Sequence, residues 1–180
     1  MPYYIIPGNH DDTQLMREVF EFDFVDARKE LYYALKLKKQ TCLFMDSSRA
    51  YHSKAQLRWL ERQLKQSQGS ETLLFTHHPP LEAGVKFMDS NHALKDQAAI
   101  QQIFAEHTDP IHLFCGHYHV DKSIDQGNLH VHITPSCFVQ IKAEKETFEA
   151  DHHRIALRII DVNADNVQTT VRYFEGQKMK

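Results

Sequence analysis

A chain of 180 residues, 42% hydrophobic and 11% aromatic, can bury roughly 70% of the surface its unfolded form exposes. That excludes a disordered chain and fits a single domain over residues 1–180. A formal net charge of −3 without any Lys/Arg block leaves nucleic-acid and membrane-surface roles without electrostatic support.

No apolar stretch reaches transmembrane length and no signal-peptide pattern is present. The three cysteines, Cys42, Cys115 and Cys137, form no CxxC pair, which points to reduced thiols in a cytoplasmic protein. Tyr3-Tyr4-Ile5-Ile6 reads as a buried strand stopped by Pro7-Gly8. A domain seldom begins in mid-sheet, so a preceding segment is expected. Asp11 or Asp12 can cap a helix over Thr13–Phe20. Leu31–Leu37 and Thr41–Met45, with Lys38-Lys39-Gln40 between them, predict a hairpin.

Ser53 opens an amphipathic helix whose apolar face is Leu57, Leu60, Leu64 and Trp59, and Gly69 ends it. Thr72–Phe75 predicts a strand. Ala83–His92 has few apolar anchors and reads as a mobile loop. Lys95–His107 predicts a helix with Ala98, Ala99, Ile103 and Phe104 inward, followed by a strand at Ile111–Cys115. The alternation from Thr41 to Cys115 implies parallel βαβ units. Lys122–Ile124, Leu129–Thr134, Phe138–Ile141, Ile155–Asp161 and Val167–Phe174 then follow as strands without helices. Gln126-Gly127-Asn128 and Asn163–Asn166 are the turns among them.

Three turns bearing metal-binding donors each follow an apolar run: Gly8-Asn9-His10-Asp11, Thr76-His77-His78-Pro79-Pro80 and Gly116-His117-Tyr118-His119. Strand ends are where α/β folds build sites. Neutral imidazole suits Zn, Fe and Mn, and an amide oxygen suits harder ions. Asn9, His77 and His117 could converge on one ion. His119, two residues beyond His117, could hold a second. Two such metals can clamp a phosphate and share the hydroxide that attacks phosphorus. His10, beside Asn9, would face substrate and donate a hydrogen bond or proton near the leaving oxygen.

The remaining histidines have blander readings. His52 reads as solvated, His92 and His107 as surface, and His152 and His153 as solvated in a polar turn. His130 and His132 share one face of a strand, which could pair them on a metal, but a solvent-facing strand is the better reading. Asp46 either supports the site or caps its own loop. Cys115 and Cys137 read as packing residues.

The three turns resemble the signature of the calcineurin-like metallophosphoesterases, which is Gly-Asn-His-Asp/Glu, a later strand-end His, and Gly-His-x-His. More narrowly, the chain resembles bacterial class III 3′,5′-cyclic nucleotide phosphodiesterases. The stretches concerned are Ile5–Asp12, Phe44–Ser47, Gln56–Leu60, Leu73–Leu81, Phe114–His119 and Thr134–Ile141. Thr134-Pro135-Ser136-Cys137-Phe138-Val139-Gln140 is the part that points to that branch.

The resemblance implies an α/β fold, a four-layer αββα sandwich of two mixed sheets, here lacking its first strands. It implies metal-dependent hydrolysis of phosphodiesters, with 3′,5′-cyclic nucleotides as the small-molecule substrate rather than nucleic acid or membrane. A homodimer is compatible with it. Asn9, His77 and His117 match ligands of one metal, His119 matches a ligand of the other, and His10 matches the substrate-facing histidine. Two divalent transition metals (Mn, Fe or Zn) are expected in the complete protein.

The family pattern opens with Asp-x-His and Gly-Asp-x-x-Asp ahead of Gly-Asn-His, and neither stands ahead of Gly8 here. Without those carboxylates the donors are all neutral. Two dications 4 Å apart repel by about 17 kcal/mol at an effective dielectric of 20, so one ion or none is expected on this chain alone. The alternatives are a non-catalytic remnant that binds one metal ion or a partner chain, and a phosphoesterase acting on other phosphodiesters.

Overall fold

The computed structural model describes residues 2–20, 29–37, 40–163 and 166–175. Helix α1 spans Thr13–Phe20, and Asp12 Oδ1 starts it by accepting the backbone N–H of Gln14 and Leu15, both at 2.9 Å. Strands β1 (Tyr33–Leu37) and β2 (Gln40–Phe44) pair antiparallel as the expected hairpin, its tip at residues 38–39 lying outside the described residues. Helix α2 spans Lys54–Gln66. Its cap is Ser53, whose side chain accepts from Gln56 N, and its buried face is Gln56, Leu60 and Leu64. Gly69 turns the chain at φ +83°.

Strand β3 (Thr72–Phe75), helix α3 (Lys86–Asn91), helix α4 (Gln97–Ala105) and strand β4 (Ile111–Cys115) follow. Then come β5 (Lys122–Gln126), β6 (Leu129–Ile133), β7 (Gln140–Ile141), β8 (Ala150–His152), β9 (Ile155–Val162) and β10 (Val167–Phe174).

Six strands form one mixed sheet in the order β1-β2-β3-β4-β6-β5. Within it β2, β3, β4 and β6 run parallel, and β1 and β5 close the edges antiparallel. Helices α2 and α4 cover one face. Leu60, Leu64, Ile100, Ile103 and Phe104 pack there against Leu43, Leu74, Leu113 and Val131. On the other face the hairpin β9–β10 contributes Ile160 and Val167, and α1 contributes Met16, to a core of Leu31, Tyr33, Cys42, Phe44, Leu73 and Phe114. Of the two mixed sheets expected, this central sheet is mixed, and the β layer facing it is the antiparallel β9–β10 hairpin. Among the described residues no helix is long and apolar enough to cross a membrane.

One row of this second face is aromatic across five strands. Tyr33, Phe44, Phe75, Phe114 and His132 stand in register on β1, β2, β3, β4 and β6. Successive rings stack with centroids 4.6, 4.9, 5.4 and 5.0 Å apart. Each stacked pair adds about 0.5–1.5 kcal/mol beyond the area it buries.

Several expectations are corrected. Tyr3–Ile6 is not a strand, and Tyr3 is 61% exposed. A lone extended run needs a neighbour to become a strand, and Ile5 is held instead through its carbonyl by the Tyr33 hydroxyl at 2.9 Å. The segment Ala83–His92 contains α3 and is anchored by buried Ala83, Val85 and Met88, with the Asp89 carboxylate accepting from the backbone of Ala83 and Val85. In α4 Ile103 and Phe104 face inward as expected, joined by Ile100, while Ala98 and Ala99 face solvent. The Phe138–Ile141 strand shrinks to β7, and its partner β8 occupies the stretch read as a turn.

His52 and His107 are buried, not solvated: His52 Nδ1 lies 3.0 Å from Asp96 Oδ2, and His107 Nε2 lies 3.9 Å from Asp109 Oδ2. His130 and His132 do share a face, but they stack with His112, at 4.9 and 6.2 Å, rather than standing free in solvent.

His132 is pushed down to about 4, first by burial and then by the Arg158 guanidinium and His112. Burial lowers His112 as well. A folded-state pKa below the ordinary 6.5 means that the unfolded chain takes up protons the folded chain refuses. This contribution to stability is therefore full above pH 6.5 and is lost as pH falls toward 4. His132→Phe, which continues the aromatic row, is expected to flatten the fall of Tm between pH 6.5 and 4, read by thermal unfolding at stepped pH. A pH profile parallel to that of the parent protein would refute the assignment.

Candidate metal centre

The parallel register brings Phe44, Phe75 and Phe114 level, so the loops that follow them leave the sheet side by side. The ladder continues one step beyond the strands. Met45 N donates to Phe75 O at 2.8 Å, Thr76 N to Phe114 O at 3.1 Å, and Gly116 N to His77 O at 3.1 Å. His77 and the turn carrying His117 are thereby tied to each other through the backbone.

The third turn comes from the N-terminal segment. Asp11 N donates to Gly8 O at 3.2 Å, and Gly8 N donates to Asp11 Oδ2 at 2.7 Å, closing a tight loop that presents Asn9 and His10. Gly8 lies flat against the His77 ring. A Cβ at that position would stand 3.0 Å from His77 Cε1 and 3.1 Å from its Nδ1, so only glycine lets the turn approach this closely.

The result is a triad of donors. His77 Nε2 lies 2.9 Å from Asn9 Oδ1 and 3.1 Å from His117 Nδ1. Partners on the far side of the rings set the tautomers. His117 Nε2 faces the His92 carbonyl at 3.1 Å and must carry the proton, which leaves the Nδ1 lone pair aimed at the triad. His119 Nδ1 likewise donates to the Val139 carbonyl at 2.8 Å, leaving Nε2 bare. Orientation of an imidazole through its other nitrogen is the usual support of a metal-binding histidine.

The backbone is strained at both positions, with φ +62° at His117 and +55° at His119, a left-handed conformation uncommon for histidine. Burial, followed by the charges of neighbouring imidazoles, pushes His77 down to about 3. Burial pushes His117 down to about 4, against the pull of the His92 carbonyl. Both rings are therefore neutral at pH 7 and keep the lone pairs that a cation needs.

The donor set fits a divalent cation. Bonds of about 2.0–2.1 Å to a tetrahedral ion place donors roughly 3.4 Å apart, so the two contacts of His77 Nε2, at 2.9 and 3.1 Å, would need to open by only a few tenths of an ångström. His119 stands apart from the triad. It lines the same cleft of about 480 Å³, together with His77, His117, Thr134, Cys137 and Arg158. His10 is exposed, and its charge lowers the pKa of His77, His117 and His119, so it lies within electrostatic reach of all three. Of the four donors expected to meet, His77 contacts both Asn9 and His117, and His119 lines the same cleft as His77 and His117. Among the described residues no three His, Cys, Asp or Glu side chains are arranged to hold an ion; the triad joins two histidines to the Asn9 amide.

Asp46 takes the role of loop cap. Its carboxylate accepts from Leu31 N at 2.9 Å, Ser48 N at 2.9 Å and Ser48 Oγ at 2.7 Å, and touches none of the donors. The carbonyls of His92 and Val139 escaped the sequence reading, since any residue supplies a carbonyl. A Gly directly ahead of Asn-His was the one visible sign of the close approach of Gly8.

A model of the calcineurin-like phosphoesterase family matches residues 1–121. A protein of Fibrobacter succinogenes named a probable cyclic nucleotide phosphodiesterase is 34% identical over 176 residues, covering 98% of this chain and 68% of its own length. The 3′,5′-cyclic adenosine monophosphate phosphodiesterase CpdA of Escherichia coli K12 is 29% identical over 174 residues, covering 94% of this chain and 62% of its own length. The chain thus spans about two thirds of the length of these curated relatives. The crystal structure of a dimetal phosphatase from Danio rerio superposes with a TM-score of 0.60 at 11% identity, covering 93% of this chain and 71% of that one. At that identity the likeness concerns the fold.

Gly8→Ala is expected to push the His77 ring off the triad and weaken Mn²⁺ binding about tenfold, the loss typical when a ligand's support is disturbed. The checks are titration calorimetry for the affinity and far-UV circular dichroism for an unchanged fold. Parent-like affinity would show that the Gly8–His77 contact does not set the donor geometry.

Proposed function

The chain belongs to the calcineurin-like phosphoesterase family, and from that premise we propose that it carries out metal-dependent hydrolysis of a phosphodiester, with 3′,5′-cyclic nucleotides as the substrate class. The observation that carries this reading is the triad of Asn9 Oδ1, His77 Nε2 and His117 Nδ1 at a strand end, with His119 lining the same cleft as His77 and His117 and His10 within electrostatic reach of it. The names of the two bacterial relatives favour a cyclic nucleotide over other phosphodiesters.

Asn9, His77 and His117 would hold a divalent transition metal (Mn, Fe or Zn), and His119 would contribute Nε2 to a second where one is present. When bound, such a cation neutralises charge on the phosphate and lowers the pKa of water. The protein's own groups do the rest. The His92 and Val139 carbonyls keep the protons of His117 and His119 on the nitrogens that face away from the cleft. His10, exposed beside Asn9, can hold a proton and pass it to the departing ester oxygen, a contribution of about 10²–10⁴ in rate.

The triad is uncharged, which favours one ion over two on this chain. That keeps a second reading in play: a protein that binds a single ion without turnover. Metal stoichiometry and activity separate the two.

The test is hydrolysis of bis-p-nitrophenyl phosphate and cyclic AMP with added Mn²⁺. The reading expects turnover of both, and a loss of at least about a hundredfold in kcat for His10→Ala with Mn²⁺ affinity kept. A parent protein that takes up one ion and hydrolyses neither compound would favour the single-ion binder.

A further inference from the structure

Behind the triad lies a buried polar group that the proposed chemistry does not use. Ser47, Thr76 and His78 are each no more than 1% exposed. Ser47 comes from the loop after β2, and the other two from the loop after β3. Their hydrogen bonds settle the direction of every proton but one, and that one by elimination. Thr76 Oγ1 donates to Ser47 Oγ at 3.1 Å, and His78 N donates to the same oxygen at 3.1 Å. A hydroxyl has two acceptor sites and one proton. With both acceptor sites filled, the Ser47 proton is left for His78 Nδ1, 3.0 Å away. His78 is therefore held as the neutral tautomer protonated on Nε2, and its ring cannot turn over without leaving a buried hydroxyl unpaired.

That ring is wedged against both triad imidazoles. Its centroid stands 4.1 Å from that of His117, inclined at 46°, and 5.0 Å from that of His77, inclined at 83°. His117 needs such a stop. Its backbone is left-handed at φ +62°, and on the outer side its Nε2 donates to the His92 carbonyl. Strained conformations persist only where the surroundings over-determine them.

We infer that Ser47 and His78 are positioning residues for the metal-binding donors: Ser47 fixes the orientation of His78, and the His78 ring fixes where the nitrogens of His77 and His117 point. The inference rests on the metal reading above and adds residues that neither bind the cation nor meet substrate. A role confined to filling the core would affect stability alone. A positioning role acts on metal affinity through the hydroxyl.

The experiment uses the full chain and Mn²⁺ as the probe. Long-range ¹H–¹⁵N correlation spectra of the metal-free protein are expected to show His78 in one tautomer, with Nδ1 bare. Ser47→Ala is expected to lose that single tautomer and weaken Mn²⁺ binding about tenfold by calorimetry, while Ser47→Thr, which keeps the hydroxyl, restores affinity. Should Ser47→Ala fail to fold, His78→Phe takes its place. It keeps a ring against His117 but cannot accept the Ser47 proton, so weakened binding supports the inference and parent-like binding overturns it. Ser47→Ala with parent affinity overturns it, as does a parent His78 protonated on Nδ1. A parent protein that binds no Mn²⁺ at all overturns the metal reading itself, and the inference falls with it.

Discussion

The site depends on the in-register parallel pairing of β2, β3 and β4 at their C-terminal ends. His77 lies two residues beyond Phe75, and the turn holding His117 begins two residues beyond Phe114, so any slip in register would move one donor past the other. The stacked row Tyr33–Phe44–Phe75–Phe114–His132 locks that register on one face of the sheet. Helices α2 and α4 back it from the opposite face through Leu60, Leu64, Ile100 and Phe104. A one-residue shift would turn each of these side chains to the wrong side. The fold therefore aligns the donors through the same contacts that build its core.

Much of this was legible in the sequence, and the physical reason is locality. The helices over Thr13–Phe20 and from Ser53 announce themselves through a capping side chain and a 3.6-residue apolar period, both confined to neighbours in sequence. The three turns were legible because each interrupts an apolar run, and the structure joins Asn9, His77 and His117. What stayed hidden depends on distant partners. Tyr3–Ile6 has the composition of a strand but pairs with no strand among the described residues. The inward face of α4 was misjudged because Ala98 and Ile100 differ in burial only through what α2 and the sheet supply. His52 looked like a solvated polar residue and His107 like a surface one, and both are buried, His52 against Asp96 far away in sequence. The supports of the triad, the His92 and Val139 carbonyls and the Ser47 hydroxyl, were beyond reach for the same reason.

The segment read as a mobile loop, Ala83–His92, shows how such a misreading bears on function. Its anchors are single buried residues at irregular spacing, Ala83, Val85 and Met88, which give no period to detect. Backbone bonds from Lys86 to Ala143 O and from Phe87 to Lys145 O then tie it to the loop after β7. The helix it contains ends at His92, whose carbonyl receives the His117 proton. The orientation of one donor ring is thus set by a short helix that contains no donor of its own.

A last consequence concerns the proton inside the triad. The His92 carbonyl takes the Nε2 proton of His117, so His117 Nδ1 is an acceptor, and Asn9 Oδ1 is an acceptor by nature. Both face His77 Nε2, which has a single proton to give. Without a cation that proton can serve only one of the two within the protein, the exposed Asn9 amide leaving the other demand to solvent, in a cleft where burial already disfavours a charged ring. Protonating a second nitrogen does not relieve this, because it places a positive charge beside other imidazoles. A divalent cation would relieve it, since it could accept all three lone pairs in place of the contested proton. The arrangement is frustrated as a hydrogen-bond network and consistent as a coordination site, and that asymmetry is the physical case for a metal there.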